Sequence, residues 1–285
     1  MTETADRTVT PAREPGSPEL ITPRPPKART RRPGVSLALR ALGPLALFTL
    51  WWAGCARGWI RPDVLASPGA VGSAFGELWE GGQLQDALRV SLTRAGLGLA
   101  LGVSAGLVLG VVSGLTRLGE ELVDSSVQML RAVPFLSLVP LFIVWFGIAE
   151  ASKILLIAVA VSFPTYVNVH SGVRNVDRKV VEAARTFGLS GPRLVWEVIL
   201  PGALSSILAG ARLALTISVI ALIAAEEINA TAGLGYLMNQ ARDYVRTDIL
   251  VVCIILYALL GLTADLLVRL VERLVMPWRR QVAVR

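Results

Sequence analysis

Residues 95–115 read AGLGLALGVSAGLVLGVVSGL, an unbroken run without an Asp, Glu, Lys or Arg. A helix rises about 1.5 Å per residue, so roughly 20 such residues cross the hydrocarbon core of a bilayer. Residues 132–149 and 154–173 are two further charge-free runs of similar length. Three of them in one chain do not fit a soluble core, and the pattern predicts an all-α, polytopic membrane protein. Working outward, the expected spans are six: 37–56, 92–115, 132–149, 154–173, 203–225 and 249–268. Pro134, Pro140 and Pro164 fall inside them, which neighbouring helices in a membrane can accommodate. Gly102, Gly106 and Gly110 recur every four residues along one helix face, so another helix is expected to pack closely there.

Composition agrees with a membrane protein and narrows the function. The chain is 53% hydrophobic and 17% charged, well below the quarter or so of charged residues in an ordinary soluble domain. Its net charge of +7 lies between apolar runs rather than on a globular face, which points away from nucleic acid. Residues 1–33 hold many prolines and no apolar periodicity, and are expected to form a disordered tail. A second short tail is expected at 277–285, and the membrane-spanning domain between them at 34–276.

Basic residues fix the expected orientation. Arg174, Arg178, Lys179, Arg185 and Arg193 crowd one loop, and Arg269, Arg273, Arg279, Arg280 and Arg285 the C-terminus. Arg57, Arg61, Arg89, Lys153, Arg242 and Arg246 are spread over the opposite side. The excess places both termini and the 174–202 loop in the cytoplasm of a multi-pass protein of the cell membrane. Cys55 and Cys253 read as small apolar residues, His170 alone cannot make a metal site, and no Gly-x-x-x-x-Gly-Lys-[Ser/Thr] phosphate loop occurs. No catalytic set and no metal site are expected, and no cofactor in this chain.

The loop carries the functional signal. It runs VVEAARTFGLSGPRLVWEVILP over 180–201. Val181 to Phe187 is a short helix former and Gly188 is a natural stop, since glycine takes the left-handed conformation that ends a helix. Pro192 suits the first turn of a second short helix, and Pro201 is expected to break the chain before the next span. Ala183 and Ala184 offer a small-residue face for a close contact.

Glu182, Ala183, Ala184, then Gly188, then Val198, Leu200 and Pro201 resemble the Glu-Ala-Ala loop of ABC importer permeases at every spacing, with Val198 where Ile is usual. Trp59-Ile-Arg-Pro62, Trp145-Phe-Gly-Ile148 and Gly172-Val-Arg-Asn-Val-Asp177 are similar to the sulfonate, taurine and nitrate branch. The resemblance implies the type I importer fold and a homodimer of permeases on two ATPase subunits. ATP would be hydrolysed by those separate subunits, and an extracytoplasmic solute-binding protein would deliver the ligand. It also implies that the Glu182–Gly188 helix couples to the ATPase. Glu227 and Asn229 depart from the branch, where an apolar residue and Gly are more usual. Arg212, deep in the fifth span, is a candidate for the translocation path, with a structural pair to Glu226 or Asp265 as the alternative. A secondary transporter or channel is the competing reading, and six spans without an inverted repeat argue against it.

Overall fold

The computed structural model describes residues 33–275, except position 229. Both expected tails lie outside the described residues, apart from Pro33, and so does Asn229. The helices are α1 (Pro33–Ala56), α2 (Pro68–Glu80), α3 (Gln83–Leu115), α4 (Arg117–Leu130), α5 (Phe135–Phe146), α6 (Glu150–Arg174), α7 (Arg178–Thr186), α8 (Gly191–Glu227), α9 (Leu234–Asp243) and α10 (Thr247–Val275). No strand occurs among the described residues. By packing, the chain falls into two units, Met1–Thr49 and Leu50–Arg285. The described part of the first is the opening of α1; all contacts below lie within the second.

Four helices, α3, α6, α8 and α10, are long and apolar enough to cross a membrane, and a fifth crossing is added if α4 and α5 count together as one bent span. Among the described residues, four or five of the six or so spans expected from the sequence are accounted for in this way. The 24-residue α1 includes the apolar stretch Leu42–Ala56. The expected span 132–149 is broken. Proline has no N–H to donate and disfavours helical backbone at the residue before it. α4 ends at Leu130, Pro134 (ψ 122°) stands outside the helical region three residues after the turn begins, and α4 and α5 meet at 87°. Gly147 then closes α5 at φ +71°, its N–H donating to Ile143 O at 2.8 Å.

The core forms where α3 packs on α6. Gly98, Gly102, Gly106 and Gly110 are all buried on α3. A Cβ on Gly98 would lie 2.6 Å from the Ile157 side chain, and one on Gly106 the same distance from Ser162 O. Only glycine lets the two backbones come this close. Ile157, Val161 and Val169 of α6 are fully buried against the glycine face. The expected close approach is thus made within the chain.

The second short helix anticipated after Pro192 does not end at Pro201. It continues into the next span as α8, and Val195–Ile199 adopts the wider π-helical turn. A proline ring clashes with the carbonyl four residues back in a regular helix, and a π-turn relieves that clash without a break. Outside the spans, Arg246 ties α2 to α10, donating to Glu77 at 3.0 Å and to Asp248 at 2.8 Å. Those two carboxylates, Asp248 foremost, hold its guanidinium above the ordinary arginine range.

Candidate functional site

The loop between α6 and α8 builds a rigid knob. Asp177 caps α7, its Oδ1 accepting from Lys179 N at 2.9 Å. Gly188 ends it at φ +86°, with Gly188 N donating to Arg185 O and Leu189 N to Ala184 O. A nine-residue helix turns by about 100° per residue, so its residues sort into stripes. Val181 and Ala184 pack inward with Val169 and Val173 of α6 and Leu194, Ile199 and Ala203 of α8. Arg178, Glu182 and Arg185 form a charged stripe lining a cavity beside the end of α3. Val180, Ala183 and Phe187 form the third, and Phe187 is 88% exposed.

The motif residues therefore have unequal places. Glu182 and Ala183 are exposed, but Ala184 is buried, so the two alanines do not share an outer face as expected. Adjacent helical residues point about 100° apart. Val198 is partly buried in the same small core, Leu200 is half-buried, and Pro201 is exposed. α7 thus shares one small core with the ends of α6 and α8.

Arg212 of α8 donates through Nη2 to Asp265 Oδ1 of α10 at 3.0 Å, and Arg269 donates to the other oxygen of Asp265 at 2.7 Å. Of the two expected partners, the structure pairs Arg212 with Asp265. Glu226 belongs to a different network, which the sequence reading missed.

That network centres on Arg94, 1% exposed on α3. Its guanidinium forks onto Glu150, with Nε–Oε2 and Nη2–Oε1 both 2.5 Å. Its Nη1 donates to Glu226 Oε1 at 2.6 Å and to Ala232 O at 2.7 Å. Glu226, wholly buried at the end of α8, also accepts from Ser91 Oγ, Tyr257 Oη and Gly235 N. Gly233, at φ +100°, lies directly against the pair, where a Cβ would meet both Glu226 and Arg94. Five helices and the turn before α9 are thereby held at one point. The sequence did carry a signal, for Arg94 stands one step ahead of Gly98 in the four-residue register of the glycine stripe.

Other candidates resolve as structural. His170 accepts or donates at Nδ1 to Ser113 Oγ (2.8 Å) and stacks on Tyr166. Cys55 and Cys253 are free thiols. Among the described residues, no cluster of His, Cys, Asp or Glu could hold a metal ion.

Residues 102–277 match the family described as the binding-protein-dependent transport system inner membrane component. The chain is 49% identical over 235 residues to the putative aliphatic sulfonates transport permease protein SsuC of Escherichia coli K12, covering 82% of this chain and 89% of the relative. Its counterpart in Bacillus subtilis 168 is 40% identical over 83% and 86% of the two chains. The taurine transport system permease protein TauC of Escherichia coli K12 is 35% identical over 85% and 90%. Among solved structures, an amino acid ABC transporter crystallised with histidines shares the fold, with a TM-score of 0.58 and 20% identity over 70% of this chain and 97% of that one. With that family match over more than half its length and relatives this similar, the chain belongs to the binding-protein-dependent transport system inner membrane components, the permease subunits of ATP-coupled ABC importers.

Proposed function

We propose that this permease moves an aliphatic sulfonate, or a related small anion such as taurine or nitrate, and that α7 is the helix through which ATP hydrolysis drives it. The permeases it most resembles among the relatives above are named for aliphatic sulfonates and taurine. The observation that carries the coupling role is the exposed stripe of Val180, Ala183 and Phe187 on a helix whose opposite side is fixed in the core of α6 and α8. An apolar, well-backed stripe of this kind suits a groove in a separate ATPase subunit, where Phe187 would be the anchor. Glu182 and Gly188 set the charge and exit angle of the knob, Ala184 seats it, and Val198, Leu200 and Pro201 carry its movement into α8.

Two copies of the chain with two ATPase chains make up the working assembly on this reading, embedded in membrane lipid, with an extracytoplasmic solute-binding protein presenting the ligand. Both termini face the cytoplasm on this reading, which the distribution of Arg and Lys supports. Arg212 keeps 42% of its side chain exposed beside Asp265, and offers a passing anion a cation in the path.

Reconstitution tests this. With its ATPase and binding protein in liposomes, the permease should accumulate a labelled alkanesulfonate only when ATP is supplied to the cytoplasmic side. Uptake by the chain alone would replace the importer with a secondary transporter. Uptake that follows ATP but rejects every sulfonate would leave the importer and remove the substrate.

A further inference from the structure

We propose that the cavity beside the coupling helix holds the phosphate headgroup of an anionic phospholipid of the cytoplasmic leaflet. The cavity, about 560 Å³, lies between the ends of α3 and α6, the start of α4 and the charged stripe of α7. Arg117, Arg174, Arg178 and Arg185 line it against Glu120 and Glu182. Four guanidiniums against two carboxylates leave two positive charges in excess. Arg174 is paired with Glu120. Arg117, Arg178 and Arg185 make no ion pair among the described residues. Guanidinium forks match the oxygens of a phosphate, and three of them converge here from two helices that do not otherwise bond through side chains.

Lipid fits the cavity better than a free ion. Leu115, Val173, Val181 and Ile199 form its apolar side, where the glycerol and first acyl carbons would lie. The volume far exceeds what one phosphate group fills. Trp196, 72% exposed one turn before Ile199, is the kind of side chain expected at headgroup depth, and Leu118 and Leu122, 71% and 67% exposed on α4, offer apolar surface beside it. Basic pockets between helices on the cytoplasmic side are where anionic headgroups bind. A lipid phosphate bridging Arg117 to Arg178 and Arg185 would brace α7 against the end of α3, so the lipid would stiffen the element proposed to carry the ATPase stroke. The choice of leaflet rests on the orientation proposed above; the charge and shape of the site do not.

The test uses the permease complexed with its ATPase subunits, with retained phospholipid counted by native mass spectrometry. Phosphatidylglycerol should be retained in preference to phosphatidylcholine, and the double variant R117Q/R178Q should lose about 30-fold in apparent affinity, at roughly fivefold per arginine. R117K/R178K should restore part of the binding, since the charge returns without the fork. Equal retention of both lipids, or no loss in R117Q/R178Q, overturns the proposal. Millimolar inorganic phosphate that displaces phosphatidylglycerol completely would make this a free-anion site and also overturn it. Should R117Q/R178Q fail to fold, the preference of the unaltered protein decides. ATP-driven uptake in the same preparation tests the importer separately, since lipid retention needs no transport. Labelling of Arg117→Cys in intact cells by a membrane-impermeant thiol reagent would refute the leaflet alone.

Discussion

Glu226→Gln is the most exacting test of the buried network. The substitution keeps shape and removes one charge from a site where four donors converge: Arg94 Nη1, Ser91 Oγ, Tyr257 Oη and Gly235 N. Removing one partner of a buried ion pair costs about 3–5 kcal/mol, because the other charge stays buried. Arg94 keeps its fork to Glu150, which is half exposed, so the lower end applies. An amide also turns an NH₂ toward donors, losing about one more hydrogen bond at roughly 1 kcal/mol. The sum is about 4 kcal/mol. For a domain of this size, 1 kcal/mol moves the melting midpoint by about 2–4 °C, so a fall of roughly 8–16 °C is expected. The assay is thermal unfolding of the detergent-purified permease, with the fraction eluting as a single species as a second reading. Glu227→Gln is the control, since Glu227 is half exposed and reaches Arg242 only at 3.5 Å; it should shift the midpoint by no more than a degree or two. Equal midpoints for Glu226→Gln and the unaltered protein would refute the reasoning.

Gly106→Ala puts a methyl 2.6 Å from Ser162 O, a backbone atom that cannot turn aside, and should cost about 1–3 kcal/mol of stability. Gly261→Ala, with open space around it, should be neutral or slightly stabilising in the same melting assay. Gly188→Val meets no neighbour but must hold φ +86°, so it should leave insertion intact while separating ATP hydrolysis from uptake, measured together in proteoliposomes. Phe187→Ala should weaken copurification of the ATPase by about 2 kcal/mol or more, with no change in the melting of the isolated permease. Arg212→Gln should lower uptake at normal folded yield if it serves the path; a loss of yield alone would make its pair with Asp265 a tie between α8 and α10.

What the sequence determined by itself was local or periodic. Charge-free length along 95–115 and 154–173 dictated membrane helices, since no other element satisfies its backbone inside lipid. The four-residue glycine register dictated a close helix contact, and Gly188 an exit from α7, because both follow from the geometry of one helix. The tertiary structure decided everything that depends on a distant partner. Two prolines in similar apolar runs behave oppositely: Pro134 separates α4 from α5, while Pro164 stays inside α6, a helix held between α3 and α8. Adjacent acids differ as much, with Glu226 buried in the Arg94 network and Glu227 exposed to Arg242. Neighbouring alanines divide in the same way, Ala183 outward and Ala184 into the core. Arg94 could be recognised as the centre of the network only once Glu226, 132 residues away, was beside it. A charge within an apolar helix is tolerated only where its counter-charge is already in place, and chain spacing does not encode that meeting.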